Sequence, residues 1–306
     1  MGLPDYDFVM AYFDGQNNTG LQLAGSNDGY DWTVIPGVEF SPTVGGWNQF
    51  RDPSLCRGTN GAFHLVWTTG SDGFGYATST NLFDWTGEKY VSVERGILSA
   101  CHMTWAPEIC WDAELGEYIV AFSTATRSLD LIGSAWPGDF RGYYVKTTDF
   151  TNWTDPEFIL TPGGSITNLG LYEIDAALLK TETNYYCFFK IEHNTMEEGI
   201  PQQKDGIHYA SAPSLAGPWS AISAPRLPGN VANSEGPSPI WIGNAFMVYY
   251  DLTPGLRAAR SYDLASWEDV SILLNAPADF RHGTVIRLRP DSLPPAEPRG
   301  LQVGPE

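Results

Sequence analysis

Five short segments of the chain share a pattern of small residues, prolines and acids. Aligned without gaps, they cover 51–55, 105–109, 174–178, 234–238 and 281–285. Three carboxylates and one histidine in a single alignment column are side chains that general acid–base catalysis uses often. The residues at the second position of the alignment are Asp52, Ala106, Asp175, Glu235 and His282.

The three carboxylates can act together only if the fold brings them close to one another. Carboxylates that converge repel each other, so their pKa values must separate. One of them is then held protonated and can serve as a general acid, while another stays ionised and can serve as a base. An acid and a base on opposite sides of a bond meet the chemical requirement of glycoside hydrolysis.

A turn signature that ends in tryptophan occurs five times and indicates the elements that would position these acids. Each copy has a hydroxyl residue, then a short polar turn, then a tryptophan six or eight positions after the hydroxyl residue. The polar residues favour a hairpin, and the tryptophan would pack on the apolar face between neighbouring sheets. Core packing is the interpretation for these residues, which are Trp32, Trp85, Trp153, Trp219 and Trp267.

Segments rich in aromatic and β-branched residues recur between the signatures and predict strands. They cover 8–13, 63–68, 118–122, 185–189 and 246–250. No long amphipathic pattern with helix caps interrupts them. Five repeats of about four strands predict an all-β fold, a five-bladed β-propeller around a central channel. A two-sheet sandwich is the alternative, but it would not explain five copies of one signature.

The five acid-bearing segments are predicted to be the innermost strands, because small residues and prolines suit the crowded centre of a propeller. Equivalent positions of these strands would face one point on the axis, so the acids would meet at one mouth of the channel. The chain begins with strands that lack an inner strand and ends with an inner strand at 281–286. We therefore expect the C-terminal strand to pair with the N-terminal strands and close the ring.

At the five aligned segments the sequence resembles glycoside hydrolase family 43, the arabinanase and β-xylosidase family of five-bladed propellers. The matching pairs and triplets are Asp-Pro, Trp-Ala-Pro, Ile-Asp, Glu-Gly-Pro and His-Gly, in this order over about residues 7 to 288. The resemblance implies an inverting enzyme with Asp52 as general base, Glu235 as general acid and Asp175 as the modulator that orients and tunes the acid. Unlike the commonest layout, about 50 residues precede the Asp-Pro strand.

Four residues near this column are candidates for binding substrate. Trp105 adjoins the column and could stack on a sugar ring or pack between blades. Glu173 lies two residues before Asp175 on the same predicted strand face, and it could bind substrate or be solvated. Lys190 could contact substrate hydroxyl groups or end its strand as a solvated lysine. Arg281 could reach the same pocket or pair with surface acids.

His282 and the cysteines are the candidates for metal binding. The resemblance implies that a histidine at the place of His282 lies deep in the channel and helps to hold a calcium ion or water, and the alternative is a hydrogen-bonded core histidine. The predicted chemistry requires no cofactor, so calcium in the channel is the single candidate. The cysteines show no CxxC spacing, which favours buried free thiols over a zinc site or a disulfide scaffold. They are Cys56, Cys101, Cys110 and Cys187.

Length and charge exclude several classes of protein. With 306 residues, 42% hydrophobic and 13% aromatic, the chain can bury a large core and is not intrinsically disordered. The net charge of −19 disfavours nucleic acid and anionic lipid as partners, and no run of 18 apolar residues predicts a membrane span. We expect one propeller over residues 1–288 and a Pro-rich tail over 289–306. We favour a secreted protein whose signal peptide has been removed over a cytoplasmic one.

These observations lead to one functional hypothesis and its alternatives. The hypothesis is an exo-acting, inverting glycosidase on side chains of plant cell-wall polysaccharides, with α-L-arabinofuranosidase as the leading activity. The alternatives are a β-xylosidase, an exo-β-1,3-galactanase and, in another class, a non-catalytic carbohydrate-binding propeller. Binding alone does not need two opposed carboxylates, which argues against the last. The expected partner is an oligo- or polysaccharide, and the expected state is a monomer.

Overall fold

The chain forms five antiparallel sheets, and their innermost strands contact one another in a closed ring around a channel. This is the predicted five-bladed β-propeller. The computed structural model describes residues 4–15, 20–47, 49–125, 140–160, 173–191, 206–220, 227–229, 231–252 and 255–288. The predicted tail over 289–306 lies outside the described residues.

Each sheet is one blade, and the strand nearest the axis lines the channel. From the innermost strand outwards, blade 1 contains β19 (Phe280–Arg287), β1 (Phe8–Asp14), β2 (Leu21–Ser26) and β3 (Thr33–Ile35), and blade 2 contains β4 (Arg51–Arg57), β5 (Phe63–Ser71), β6 (Gly73–Ser79) and β7 (Trp85–Ser92). Blade 3 contains β8 (Trp105–Asp112), β9 (Glu117–Thr124), β10 (Arg141–Thr147) and β11 (Glu157–Phe158), and the described strands of blade 4 are β12 (Glu173–Lys180), β13 (Tyr185–Ile191) and β14 (Gly206–Ala212). Blade 5 contains β15 (Glu235–Ile242), β16 (Ala245–Asp251), β17 (Leu256–Ser261) and β18 (Trp267–Asp269).

Blade 1 is built from both ends of the described chain. Strand β19 pairs antiparallel with β1, from Phe8 opposite Arg287 to Asp14 opposite Phe280. The backbone N–H of Leu288 extends this contact by donating to the Asp7 carbonyl at 2.8 Å. The predicted closure of the ring is confirmed, and it leaves the inner edge of β1 covered.

Apolar side chains fill the five spaces between neighbouring blades. In one such space, Val9 and Leu23 of blade 1 pack with Leu55 and Leu65 of blade 2. Burial of a large apolar side chain of this kind stabilises the fold by about 1.5–3 kcal/mol. Each space also contains one of the repeated tryptophans, so their predicted core packing is confirmed. They are Trp85, Trp153, Trp219, Trp32 and Trp267, each in a different cluster.

The repeated signature forms the turn between the third and fourth strands of a blade. In blade 2, Ser79 Oγ accepts the N–H of Leu82 at 2.9 Å, and Asn81 Oδ1 accepts the N–H of Asp84 at 2.9 Å. Leu82 is left-handed, with φ of 72°, and its carbonyl accepts the indole N–H of Trp85 at 3.1 Å. The polar residues of the signature therefore satisfy the turn backbone, while the tryptophan ties the turn to the core.

Two further predictions concern membranes and thiols. Across the described ranges, the structure contains no helix with the length and apolar character of a membrane span. All four cysteines are free thiols, as predicted. Cys56, Cys101 and Cys187 are buried, while Cys110 is half-buried.

Candidate active site

All five inner strands carry a β-bulge near their first residues, at the mouth of the channel. In β4, the pairing of Arg51 with Thr68 is followed by the pairing of Ser54 with Val66, so two residues of β4 lie opposite one residue of β5. The first bulged residue is left-handed in four of these strands, all except β19. Such a conformation costs of order 1–2 kcal/mol for a residue other than glycine, and strained positions of this kind cluster at functional sites. The φ angles are 49° at Asp52, 46° at Ala106, 58° at Asp175 and 63° at Gly236.

The predicted alignment of the fourth segment is wrong by one residue. Gly236, rather than Glu235, holds the left-handed position equivalent to Asp52 and Asp175. Glu235 precedes the bulge and pairs with Asp251 of β16. A gapless alignment cannot detect which residue of a strand adopts the bulged conformation, whereas the position of the following proline is the same in three of the four strands.

Asp52 and Asp175 are both buried at this mouth. Asp52 is 5% exposed, and its Oδ2 accepts the hydroxyl of Thr68 at 2.7 Å. Asp175 is 6% exposed, and its Oδ2 accepts the backbone N–H of Gly236 at 3.0 Å. Because Gly236 follows Glu235 directly, Asp175 holds the backbone that carries the predicted acid.

Glu235 reaches the same mouth and is held there by two cations. Lys190 Nζ lies 2.9 Å from Glu235 Oε2, and Arg281 Nη2 lies 2.6 Å from Glu235 Oε1. The alternative that Lys190 is a solvated lysine is wrong, because Lys190 is 2% exposed. Arg281 also donates through Nε to Oδ2 of the fully buried Asp251 at 2.7 Å, so its partners are acids of the site rather than surface acids.

The pKa values of the acids separate, but in the opposite sense to the predicted roles. Burial raises the pKa of Asp175 to about 6, and Glu235 and Asp52 add to this while His282 and Lys190 oppose it. Burial also raises the pKa of Glu235, but Lys190, then Arg281 and His282, outweigh it and hold that pKa below its usual range. A lowered pKa keeps Glu235 ionised in this arrangement, whereas its predicted role as general acid requires a proton on the carboxyl group.

His282 is a buried cation between two acids. Its Nδ1 lies 3.6 Å from Asp52 Oδ1 and its Nε2 lies 3.8 Å from Glu108 Oε1. Burial lowers the pKa of His282, but Asp175, Glu108 and Asp52 outweigh it and raise the pKa to about 10. The ring needs the space left by Gly236, since a Cβ on that glycine would lie 2.6 Å from it.

The surroundings of His282 do not fit a calcium ligand. Calcium binds oxygen ligands, and both ring nitrogens of His282 already face carboxylate oxygens, as a charged core histidine would. Among the residues with described positions, no group of three or more His, Cys, Asp or Glu side chains is arranged to hold a metal ion. The geometry therefore supports the core alternative for His282, and calcium in the channel stays a prediction.

Trp105 lies at the rim of the mouth, half-buried beside Ala106. Its ring meets that of Trp47 nearly edge to face, with centroids 5.4 Å apart and an interplanar angle of 64°. The Arg51 guanidinium lies 5.5 Å from the Trp105 ring centroid and 5.5 Å from that of Phe13. Trp105 thus packs against neighbouring side chains and also keeps part of its ring at the mouth, so substrate contact stays a prediction.

Glu173 is buried at a contact between blades. It is 2% exposed, and its Oε1 accepts the backbone N–H of Gly142 in β10 at 3.2 Å. The solvated alternative for Glu173 is therefore wrong, while substrate binding stays a prediction. The bulge at Asp175 interrupts the alternation of side chains along β12, so sequence spacing could not predict the direction of Glu173.

Three polar residues of the site were not predicted from the sequence. Thr68 holds Asp52, and Asp251 holds Arg281 and the backbone N–H of His282. Glu108 is 8% exposed, and burial raises its pKa. Glu108 could have been found in the sequence because it lies inside an aligned inner segment. Asp251 could have been found because it is a carboxylate at the end of an aromatic strand.

Several solved structures of glycosidases resemble this fold. A thermostable family-43 glycoside hydrolase has a TM-score of 0.61 and 14% identity, and the superposition covers 90% of this chain and 92% of that chain. An exo-β-1,3-galactanase from Clostridium thermocellum has a TM-score of 0.52 and 15% identity, over 77% of this chain and 50% of that chain. At these identities the likeness shows the fold.

Sequence comparison adds a relative and a family. An α-L-arabinofuranosidase of Bifidobacterium longum subsp. longum is 32% identical over 124 residues, which are 37% of this chain and 11% of the relative. The family model described as "Probable glycosyl hydrolase domain", which is related to glycoside hydrolase family 43, matches residues 4–292. Since this match covers nearly the whole propeller, the chain belongs to the family-43-related glycoside hydrolases.

Proposed function

We propose that this glycoside hydrolase is an exo-acting, inverting α-L-arabinofuranosidase that acts on side chains of plant cell-wall polysaccharides. The observation that carries the proposal is the arrangement of three acids at one mouth. Asp52 is anchored by Thr68, Glu235 is held by Lys190 and Arg281, and Asp175 bonds the backbone beside Glu235. A pair of acids with a third acid that positions one of them suits general acid–base hydrolysis.

In the proposed reaction, Asp52 takes a proton from a water molecule that attacks the anomeric carbon. Glu235 gives a proton to the glycosidic oxygen as the bond to the leaving group breaks. Sugar hydroxyl groups accept hydrogen bonds from Lys190 and Arg281, which weakens the hold of these cations on Glu235. As these positive charges move away from Glu235, its pKa rises and its carboxylate takes up a proton from solvent, and the negative potential of Asp175 raises that pKa further.

The placement of the two blades supports inversion. Asp52 lies in blade 2 and Glu235 in blade 5, with blade 1 between them by the shorter route around the ring. This placement favours the wide carboxyl separation, about 6.5–9.5 Å, that admits a water molecule in inverting enzymes, over the roughly 5–5.5 Å of retaining ones.

Arabinofuranose is favoured by the stretch of 124 residues shared with the Bifidobacterium arabinofuranosidase. Because that stretch is 11% of the relative, the substrate is part of the proposal. An exo-β-1,3-galactanase is the second candidate, favoured by a neighbour with the same fold, and a β-xylosidase is the third.

The test is a comparison of nitrophenyl α-L-arabinofuranoside, β-D-xyloside and β-D-galactoside, followed by arabinan and arabinogalactan. We expect fastest release from the arabinofuranoside, and proton NMR of the fresh product should show the anomer opposite to that of the bond cleaved. Release of the retained anomer, or a covalent intermediate on Asp52, would overturn the role of Asp52 as base. Binding of arabinan without any hydrolysis would instead support the non-catalytic alternative.

A further inference from the structure

The channel has a cavity at the end opposite to the catalytic mouth. The catalytic acids lie at the first residues of the inner strands, whereas this cavity is lined by the later residues of the same five strands. We call it the rear cavity. Its volume is about 330 Å³, which is within the range of pockets that hold small molecules.

Three cations from three different blades line the rear cavity. They are Arg57 at the end of β4, Lys180 at the end of β12 and Arg287 at the end of β19. The chain has 36 acidic and 17 basic residues, so a lining drawn at random would carry mostly acids. The acid in the lining is Glu108, whose carboxylate accepts the Ser54 hydroxyl at 2.7 Å and faces His282.

The contacts of Arg57 leave most of its donors available. Arg57 Nη1 donates to the carbonyl of Leu288, and the guanidinium carbon lies 5.5 Å from the ring centroid of Phe63. Among the residues that the structure describes, Arg57 makes no ion pair. A guanidinium has five N–H donors in a planar fork, which matches the two oxygens of a carboxylate or phosphate.

Lys180 is also incompletely neutralised by its partner. Lys180 Nζ lies 3.2 Å from Glu114 Oε2, but the Glu114 side chain is 74% exposed, so solvent screens this pair. Arg287 Nη2 donates to the carbonyl of Trp241 at 3.1 Å, and the negative charge of Asp7 also acts on its guanidinium. Three half-buried cations that face one cavity repel each other, and an anion between them would relieve that repulsion.

We propose that the rear cavity binds a small oxyanion, a carboxylate or phosphate group carried by a molecule of about the size of a sugar. The fork of Arg57 would take two of its oxygens, while Lys180 and Arg287 would neutralise the remaining charge from the facing blades. This inference goes beyond the proposed hydrolysis and does not depend on it, because none of the three cations contacts the catalytic acids.

The test is isothermal titration calorimetry of the full chain at low ionic strength with inorganic phosphate, galacturonate and galactose. We expect binding of at least one anion and none of galactose. Binding of phosphate but not of galacturonate would identify a phosphate site. Binding of galacturonate but not of phosphate would identify a carboxylate site. Absence of binding by both anions would overturn the proposal.

Variants locate the binding. Lys180→Met and Arg57→Gln should each weaken anion binding by about tenfold or more, whereas glycosidase activity should be unchanged. Lys146→Met is the matched control, because it removes one cation that pairs with Glu117 and does not line the cavity. If Arg57→Gln fails to fold, Lys180→Met decides by itself. Equal weakening by the Lys146 variant would show a general charge effect and overturn the site.

Discussion

Glu235 lies directly opposite Asp251 across the ladder between β15 and β16, and one arginine binds both carboxylates. Arg281 donates through Nη2 to Glu235 at 2.6 Å and through Nε to Asp251 at 2.7 Å. Like charges at directly opposite positions of a ladder destabilise a sheet, so Arg281 compensates a repulsion that the backbone imposes. The position of the predicted acid thus depends on a second carboxylate that is fully buried.

Replacement of that buried carboxylate should affect both stability and turnover. We expect Asp251→Asn to lower the free energy of unfolding by about 1.5–3 kcal/mol, because a buried charge-assisted hydrogen bond is weakened. Turnover should also fall, because Arg281 then acts on Glu235 alone and holds it more firmly ionised. Urea denaturation and kcat measure the two effects. The exposed Asp84→Asn is the control, and equal behaviour of the two variants would contradict the role of Asp251.

Removal of a cation from Glu235 should change the pH profile of the enzyme. Lys190 lowers the pKa of Glu235, so Lys190→Met should raise that pKa. A general acid works while it is protonated, so the alkaline limb of kcat/KM should move to higher pH by roughly one unit or more. Lys180→Met at the other end of the channel is the matched control and should leave the limb in place. An unmoved limb in the Lys190 variant would show that Glu235 does not set it.

The role of Glu235 as acid predicts a dependence on the leaving group. Glu235→Gln should reduce activity by about 10²–10⁴-fold on natural linkages, which need a proton on the glycosidic oxygen. A nitrophenolate leaves without a proton, so nitrophenyl substrates should lose much less activity. The comparison of kcat/KM for the two substrate types is the measurement. Equal losses on both types would mean that another group supplies the proton.

The half-buried ring of Trp105 should bind sugar in both the ground state and the transition state. Trp105→Ala should therefore raise KM with a smaller effect on kcat. The variant should also melt at a lower temperature, since the contacts with Trp47 and Arg51 are lost. Steady-state kinetics and thermal melts separate the two effects. A lower melting temperature with unchanged KM would assign Trp105 to packing alone.

Buried His64 should make the fold sensitive to acid. Burial lowers the pKa of His64 to about 4, and its ring is stacked on Phe150 with centroids 4.0 Å apart. The unfolded chain, with a histidine pKa of about 6.5, binds more protons than the folded one, so stability should fall between pH 6.5 and about 4. The slope from one proton is at most about 1.4 kcal/mol per pH unit.

The variant His64→Phe isolates this effect. It leaves the hydroxyl of Tyr76 without the His64 Nδ1 partner seen at 2.8 Å, which lowers stability by an amount independent of pH. The difference in unfolding free energy between variant and wild type should therefore shrink as the pH falls from 6.5 to about 4. Urea denaturation across this window is the measurement, and a constant difference would contradict the acid sensitivity of His64.

Local patterns of the sequence were sufficient to predict the architecture. The tryptophan signature repeats because each blade needs the same turn and the same apolar contact with its neighbour, so five copies predicted five blades. The inner strands were recognisable from small residues and prolines, and two of the predicted catalytic acids, Asp52 and Asp175, occupy equivalent bulged positions. These features depend on residues close together in the chain.

The chemistry of the mouth was decided by contacts between residues far apart in the chain. The sequence by itself determined that Asp52, Asp175 and Glu235 meet there, since their strands are specified locally. Only the tertiary structure placed Glu235 one position outside the bulge, between Lys190 of blade 4 and Arg281 of blade 1. Because a pKa depends on the charges and the burial around a group, the protonation of Asp175 and Glu235 follows from the assembled blades and not from any segment.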